Sequence, residues 1–265
     1  MKDRWVQTGK TNETGMSVKD QIQKKEVPRH VAVIMDGNGR WASLMGKPRI
    51  FGHQNGVQSV REIVEGAGEI GVECLTLYAF STENWKRPAY EVNALMTLLV
   101  QTIRKEVKAL LENNVQLLSI GDVSKLPSKS RKALEEAVQV TSDNTGLKVI
   151  LALNYSAKWD ITRAAAKIAE LTRDGKLDPG QIDDNTFKSF LSTADFPDVE
   201  LMIRTSGEKR ISNFLLWEMA YAELCFCSKY WPEFRKEDFF RAIVDFQNRE
   251  RRFGRTGEQI KSLTS

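Results

Sequence analysis

Short apolar runs alternate with longer amphipathic stretches along this chain from Pro28 onward. The run from Val149 to Leu153 is apolar at every position, which is typical of a strand buried on both faces of a parallel sheet. Runs of this kind predict strands at His30–Met35, Glu73–Phe80, Val115–Ile120, Leu147–Asn154, Val199–Arg204 and Glu223–Phe226. Helical spacing of apolar residues predicts helices at Gly56–Ile70, Tyr90–Asn113, Ser128–Thr141, Lys158–Arg173, Asp184–Ser192 and Lys236–Arg251. The alternation predicts a single α/β domain with a central, mostly parallel six-stranded sheet flanked by helices.

The two ends of the chain depart from this pattern. Residues 1–28 are polar and rich in lysine, without the apolar segment of a signal peptide, and predict a flexible N-terminal tail. The folded domain is expected over residues 29–255, with a C-terminal tail over 256–265. No run approaches the roughly 18 apolar residues of a membrane-spanning helix, and three cysteines are too few for a disulfide framework. We therefore expect a cytoplasmic protein whose membrane contact is peripheral, at the inner face.

The predicted helix Tyr90–Asn113 carries an apolar stripe that has two interpretations. Its members are Leu95, Leu98, Leu99, Ile103, Val107, Leu110 and Leu111. Such a stripe usually packs into the core, but it also suits the lining of a lipophilic tunnel. The stripe alone leaves both interpretations open.

The most informative polar segment is Met35–Trp41, which follows directly after the first predicted strand. Ligands of open α/β sheets bind at the carboxyl ends of the strands. Gly37 and Gly39 let backbone N–H groups approach an anion, and Arg40 adds a charged fork. Asp36 cannot itself bind phosphate, so its carboxylate indicates a divalent metal shared with the substrate. Asp-Gly-Asn-Gly is also a common turn sequence, and that interpretation stays open.

Three further polar clusters follow predicted strands or open helices. Phe80–Pro88 holds hydroxyls, an amide, a tryptophan and an arginine, although its hydroxyls also suit helix caps. Arg49–His53 places an arginine and a histidine four positions apart, and a lone histidine is more often structural. Arg204–Asn213 combines two arginines with hydroxyls and a glycine, without the lysine motif of a nucleotide-binding P-loop.

These clusters share an excess of guanidinium groups. The five arginines are Arg40, Arg49, Arg87, Arg204 and Arg210. Each charge-assisted hydrogen bond to phosphate contributes about 1.5–3 kcal/mol, so the set favours diphosphates over one monophosphate. The net charge of +4 suits an anionic ligand or a membrane surface and is weak evidence for nucleic acid.

Glu223 is an acid inside the apolar run Ala220–Leu224. Acidic side chains are rarely buried without a partner. An arginine in a structural ion pair explains this residue, and so does a second metal-binding carboxylate. The residues themselves leave both explanations open.

Three segments together resemble the signature blocks of the cis-prenyltransferases, the undecaprenyl diphosphate synthases. They are Met35–Trp41, Ser81–Pro88 and Arg204–Asn213, the last of which runs into Phe214–Glu218. The resemblance implies a homodimer whose subunits carry an apolar tunnel above the sheet. It also implies Mg²⁺-dependent condensation of isopentenyl diphosphate onto an allylic diphosphate, usually farnesyl diphosphate. The expected product is a long-chain polyprenyl diphosphate. We expect it to be undecaprenyl diphosphate, a cell-wall carrier lipid.

The resemblance also implies roles for individual residues. Asp36 is implied as the catalytic Mg²⁺ ligand, Glu223 as the second metal ligand and Asn84 as the residue at the position of proton removal. The implied allylic diphosphate pocket consists of Gly37, Asn38, Gly39, Arg40, Trp41, Arg49 and His53. The implied catalytic loop contains Ser81, Thr82, Glu83, Trp85 and Arg87. The implied isopentenyl diphosphate site contains Arg204, Arg210, Ile211 and Ser212, and Arg252-Phe253-Gly254 resembles an element that reaches the partner subunit's site.

Two segments depart from the family pattern. Where bacterial members often have Asn-Tyr-Gly-Gly-Arg, this chain has Ser156, Ala157 and Lys158 after Asn154-Tyr155. A lysine lacks the bidentate fork that arginine would use in a phosphate or dimer contact. Ser206 replaces the first glycine of Arg-Thr-Gly-Gly. Neither change touches the metal carboxylates, so we expect activity to survive.

Three other functions compete with this one. A non-catalytic, lipid-binding subunit would keep the fold, but such proteins typically lose the catalytic Asp or the Arg/Ser cluster. A trans-prenyl synthase needs the motif Asp-Asp-x-x-Asp. The pair Asp183-Asp184 is not followed by the third aspartate of this motif. An RNA-binding module would rest on Arg249-Glu250-Arg251-Arg252, which lacks an aromatic platform. We therefore expect no nucleic-acid partner.

Overall fold

The computed structural model describes residues 17–250. Its strands form one sheet in the order β3-β4-β2-β1-β5-β6, and every neighbouring pair is parallel. The strands are β1 (His30–Ile34), β2 (Cys74–Ser81), β3 (Gln116–Ile120), β4 (Lys148–Tyr155), β5 (Leu201–Arg204) and β6 (Glu223–Phe226). The prediction of a six-stranded α/β sheet is confirmed. All the carboxyl ends lie at one edge, because the strands are parallel.

Helices cover both faces of the sheet. They are α1 (Asn38–Leu44), α2 (Arg49–Ile70), α3 (Ala89–Glu112), α4 (Ser128–Val140), α5 (Ala157–Arg173), α6 (Asp184–Lys188) and α7 (Lys236–Gln247). Along β1, Val31 and Val33 face α2, α3, α4 and α7, whereas Ala32 and Ile34 face α5 and the segment 214–219. This alternation follows from the two-residue period of a strand. Within residues 17–250, no helix combines the length and hydropathy needed to cross a bilayer.

Helix α1 and the first two turns of α2 were not predicted, since the sequence pattern placed the start of that helix at Gly56. The segment lacks a regular apolar stripe, because α1 and α2 pack through glycine rather than through large side chains. A Cβ atom on Gly52 would lie 1.9 Å from the carbonyl oxygen of Asn38. Glycine at this position therefore allows the two helices to touch beside the first polar segment.

The region before β1 also differs from the expectation of a tail over residues 1–28. Val18, Ile22 and Val27 pack against the core beside α2 and α7, and Lys19 pairs with Glu69 at 2.6 Å. The packed domain therefore begins before residue 29. Residues 1–16 and 251–265, including Arg252-Phe253-Gly254, lie outside the described residues.

Candidate active site

A cavity of about 1450 Å³ runs from the carboxyl edge of the sheet into the space between the sheet, α2 and α3. We call its charged mouth the polar end. The polar end is lined by Asp36, Asn38, His53, Ser81, Glu83, Asn84, Arg87, Arg204, Arg210, Ser212 and Asn213. The structure thus brings ten of the predicted site residues to one cavity, and Asn213 joins them.

Asp36 lies at the centre of the polar end, two residues after β1. It accepts hydrogen bonds from the Gly37 N–H at 2.7 Å and from Arg204 Nη2 at 2.8 Å, and Arg40 lies 3.4 Å away. Partial burial opposes ionisation of Asp36, but Arg204, the Gly37 N–H and Arg40 together lower its pKa below the ordinary value. Asp36 is therefore an ionised carboxylate in the neutral pH range.

The backbone after Asp36 turns sharply into α1. Gly37 adopts a φ of 101°, and a Cβ atom there would lie 2.7 Å from the Tyr230 ring and 2.8 Å from Ser206 Oγ. Only glycine fits both the conformation and the space. The first backbone N–H groups of α1 have no partner within the helix, so this turn presents donors beside Asp36 and Arg40.

Arg204 connects Asp36 to the segment after β5. It is 3% exposed, and its Nη1 donates to Ser212 Oγ at 2.6 Å and to the carbonyl oxygen of Arg210. The Arg204 Nε is buried without a partner among the described residues. Arg210 and Arg40 both pair with Glu208, the latter at 2.8 Å. Two guanidinium groups, those of Arg204 and Arg40, therefore contact the Asp36 carboxylate, and Glu208 links Arg210 to Arg40.

The loop after β2 forms a short 3₁₀ helix, Thr82–Lys86. The side chain of Asn84 accepts a hydrogen bond from the Ser81 N–H at 3.1 Å, as part of a capping box. Glu83 accepts one from Asn213 at 2.9 Å, which joins this loop to the segment after β5. The capping interpretation of the cluster therefore describes a real contact, and the site interpretation stays a prediction.

A second group of charges meets at Glu91, which the sequence analysis did not single out. Glu91 is 5% exposed and pairs with Arg49 at 3.3 Å and Arg87 at 3.1 Å. Burial, together with the charge of Arg87, lowers the pKa of His53 to about 4. His53 is therefore neutral at physiological pH. The spacing of Arg87 and Glu91, four residues apart at the start of a helix, was the available signal.

Several predicted residues lie beside the cavity rather than on its wall. Trp41 stacks on Phe51 at 5.8 Å and donates to Glu233 at 3.2 Å. Trp85 donates to Asn154 at 2.7 Å. The remaining ones are Gly37, Gly39, Arg40, Arg49, Thr82 and Ile211. Lys158, at the position that departs from the family pattern, is exposed and also lies off the cavity wall.

Glu223 stands apart from the other predicted site residues. It pairs with Leu201 at the amino end of β6, and Leu201 is level with Val31 of β1. At about 3.3 Å per residue, that level is roughly 16 Å along the strands from Asp36. The Glu223 carboxylate forms an ion pair with Arg249 at 2.9 Å. Glu223 therefore has the arginine partner that one of the two explanations required. Within one chain, the carboxylates of Glu223 and Asp36 do not lie together.

Beyond the polar end the cavity is apolar. We call its lining on α2 and α3 the helix wall, which contains Val57, Val60, Val64, Leu95, Leu98, Leu99, Ile103 and Leu110. Leu77 and Leu117 are among the residues that close it from the sheet. The stripe of the long helix α3 therefore packs partly into the core and partly lines the cavity. That this lining forms a tunnel for a lipid chain stays a prediction.

The donor set of the polar end fits a magnesium ion that is shared with a diphosphate. Within residues 17–250, no group of three His, Cys, Asp or Glu side chains could hold a metal. Mg²⁺ is usually bound by one or two carboxylates together with substrate phosphates. Asp36, ionised and in contact with Arg204 and Arg40, would supply the carboxylate that such a shared ion needs.

Sequence comparisons assign the chain to one protein family. The sequence model of the family described as "Putative undecaprenyl diphosphate synthase" matches residues 34–254. An isoprenyl transferase of Chlorobaculum tepidum is 50% identical over 96% of this chain and 97% of its own length. A Vibrio cholerae protein named ditrans,polycis-undecaprenyl-diphosphate synthase, (2E,6E)-farnesyl-diphosphate specific, is 50% identical over 91% of this chain and 97% of its own.

Solved structures give the same result. Lavandulyl diphosphate synthase from Lavandula x intermedia, in complex with dimethylallyl diphosphate, superposes with a TM-score of 0.85 at 37% identity, covering 87% of this chain and 99% of that one. A probable undecaprenyl diphosphate synthase from Campylobacter jejuni gives 0.73 at 36% identity, covering 86% and 99%. The chain belongs to the undecaprenyl diphosphate synthase family of cis-prenyltransferases.

Proposed function

We propose that this protein catalyses the Mg²⁺-dependent, sequential cis-condensation of isopentenyl diphosphate onto an allylic diphosphate, with farnesyl diphosphate as the primer. The proposed product is a long-chain polyprenyl diphosphate, which we propose to be undecaprenyl diphosphate. The single observation that carries the proposal is the cavity, whose arginine-rich polar end continues into the helix wall. A diphosphate and a growing hydrocarbon chain need these two environments side by side.

Residues of the polar end and of the turn beside it are proposed to divide between the two substrates. The turn after β1, with Gly37 and Arg40, is proposed to hold the allylic diphosphate. Arg204, Arg210 and Ser212 are proposed to hold isopentenyl diphosphate. Preorganised charges of this kind stabilise the departing diphosphate as allylic cation character develops. The isopentenyl double bond then attacks the allylic carbon, and a proton leaves the new chain.

Asp36 is proposed as the residue that holds the metal. When bound, a magnesium ion shared with the allylic diphosphate would neutralise negative charge on the leaving group. Arg204 keeps Asp36 ionised and oriented for this task, since it donates to one carboxylate oxygen while the Gly37 N–H donates to the other.

Asn84 is proposed to orient the proton acceptor rather than to be it. A neutral amide is a poor base, and the Asn84 side-chain oxygen already accepts the Ser81 N–H. A diphosphate oxygen of the substrate is the better acceptor. The proposal predicts that Asn84→Ala loses most of its turnover, and near-normal turnover would contradict it.

The proposal includes a homodimer, and Glu223 gives one reason for it. Within one chain Glu223 lies at the opposite edge of the sheet from Asp36, so a role in the metal site requires the second subunit. Analytical ultracentrifugation of wild type and Glu223→Gln, with Mg²⁺ titrations of activity, tests this role. An unchanged Mg²⁺ requirement in Glu223→Gln would leave Glu223 with its structural ion pair alone.

Cytoplasmic localisation with peripheral membrane contact is proposed from the same chemistry. Each CH₂ of a polyprenyl chain gains about 0.8 kcal/mol from burial, so the product leaves the helix wall slowly unless a membrane or detergent accepts it. Detergent is therefore expected to raise steady-state turnover. Equal turnover with and without detergent would contradict this expectation.

The decisive experiment incubates the purified protein with farnesyl diphosphate, radiolabelled isopentenyl diphosphate, Mg²⁺ and detergent, followed by chromatography of the products. Asp36→Ala and an EDTA-treated sample serve as controls. A ladder of polyprenyl products that both controls lose would support the proposal and report the chain length. No incorporation by folded wild-type protein would favour the non-catalytic subunit.

A further inference from the structure

Four charged side chains line the cavity away from the polar end: Arg61, Glu65 and Glu69 on α2, and Glu106 on α3. Glu65 and Glu69 pair with Lys236 of α7, at 3.1 and 2.8 Å. Arg61 and Glu106 instead pair with each other across the gap between α2 and α3. Arg61 Nε donates to Glu106 Oε2 at 2.8 Å, and Nη2 donates to Oε1. The ion pair is therefore bidentate and joins the two helices.

The pair occupies positions that the helical period assigns to apolar residues. Glu106 is in phase with Leu99, Ile103 and Leu110, all of which line the cavity. Arg61 likewise continues the face of α2 formed by Val57, Val60 and Val64. Charges inside an apolar stripe cost desolvation free energy unless they are paired, and here each of the two charges is compensated by the other across the two helices.

The cavity reaches solvent on the same side. The Arg61 and Glu106 side chains are 32% and 20% exposed, which places them between the cavity and the water. Further along α2, a Cβ atom on Gly68 would meet nothing within 4 Å, and Gly68 lines the cavity together with the exposed Glu65. We call this opening between α2 and α3, lined by Arg61, Glu65, Gly68 and Glu106, the lateral seam. The Arg61–Glu106 pair spans the seam.

We propose that the Arg61–Glu106 ion pair closes this seam and thereby limits the length of the polyprenyl chain. This inference rests on the proposed condensation of isopentenyl units in the same cavity. With the seam closed, elongation stops when the helix wall is filled, because each further methylene would lose its burial. With the seam open and covered by detergent, the chain passes between α2 and α3 and elongation continues.

The test compares product lengths in detergent for Glu106→Gln, Glu106→Arg and the swapped pair Arg61→Glu/Glu106→Arg. Glu112→Gln is the matched control, because Glu112 is on the same helix in an exposed pair with Lys108, 3.7 Å away. We expect the two single variants to raise the fraction of products longer than the main wild-type product about two- to fivefold, the range for a partly exposed ion pair. The swapped pair is expected to restore the wild-type distribution, and the control to leave it unchanged.

A separate readout distinguishes failure of this inference from failure of the proposed function. With limiting isopentenyl diphosphate, only the first condensation is measured, which needs the polar end but no long chain. Absence of this step in wild type would overturn the proposed function. A normal first step, with unchanged or shorter products in Glu106→Gln, would overturn the role of the ion pair alone. Glu106→Gln keeps one hydrogen bond to Arg61 and serves if Glu106→Arg does not fold.

Discussion

The polar end and the helix wall enclose one cavity, yet they are built in different ways. Loops after β1, β2 and β5 form the polar end, whereas two long helices form the wall. Among the described residues, six non-glycine residues have a positive φ, and four of them, Ser206, Ser212, Asn213 and Leu215, follow β5. Strain is thus concentrated where charges must be aimed. Side chains that only repel water are carried by regular helices.

The difference shows how rigidity is distributed in the site. A diphosphate needs donors at fixed positions, so the polar end holds each arginine with a carboxylate or a carbonyl oxygen. A hydrocarbon chain needs volume and an apolar surface, but no fixed partner. We therefore expect conservative changes at the polar end to damage activity, and larger changes in the helix wall to damage it less.

The largest expected effect is that of Arg204→Lys. Lysine keeps the charge but cannot reach Asp36, Ser212 and the Arg210 carbonyl oxygen at once. The loss of one charge-assisted hydrogen bond predicts a fall in kcat/KM of about tenfold to a hundredfold. Steady-state kinetics with both substrates measure it, with circular dichroism to check the fold. Wild-type kinetics would show that the Arg204 fork does not matter.

A second experiment compares Leu99→Ala in the helix wall with Leu134→Ala in the core of α4, where Leu134 is 1% exposed. Leu134→Ala should lower the free energy of unfolding by about 3 kcal/mol, because it leaves a new cavity. Leu99 already borders the cavity, so Leu99→Ala should cost about 1 kcal/mol. Urea denaturation measures both. Equal losses would mean that the helix wall is packed as tightly as the core.

The polar end should also show a dependence on pH through His53. Its pKa in the folded protein is about 4, against 6.5 for the ordinary side chain, so the unfolded chain binds the proton more readily. Stability from this group is present above pH 6.5 and is lost as the pH falls towards 4. His53→Gln should therefore lose less stability than wild type between pH 7 and 4.5. Parallel curves from chemical denaturation would count against it.

The smallest expected effect concerns Ser206, which adopts a φ of 79° and has a buried hydroxyl without a partner among the described residues. Ser206→Gly should raise the free energy of unfolding by about 0.5–1 kcal/mol, since glycine adopts this conformation without strain. A melting-temperature comparison with Ser142→Gly, a change at an exposed serine, measures the difference. A destabilised Ser206→Gly would mean that the serine contributes a contact of its own.

Much of this architecture follows from the sequence pattern. The apolar runs predict the six strands because a parallel sheet buries both faces. The polar clusters predict the residues of the polar end because strands that run in one direction end at one edge. Helix α1 could not be predicted, since its contact with α2 depends on Gly52 meeting a carbonyl oxygen rather than on an apolar stripe.

Other features depend on contacts between distant segments. Glu91 pairs with Arg49, which lies on another helix, and with Arg87. Of these two partners, only Arg87 is close to Glu91 in sequence. Glu223 looked equally suited to a metal or to an arginine, because an acid in an apolar run does not reveal at which end of its strand it lies. The register of β6 against β5 supplies that information, and a single sequence does not contain it.

The ion pair between Asp36 and Arg204 has a consequence for synthesis of the chain. Its two residues are separated by 168 positions, which take roughly ten to thirty seconds to translate at typical rates. By the end of this interval β1 to β4, with α2 and α3, have been made before the arginine that completes the polar end is added. The nascent chain therefore exposes the apolar helix wall first, and the polar end is completed last. That apolar surface therefore exists before the polar end is complete.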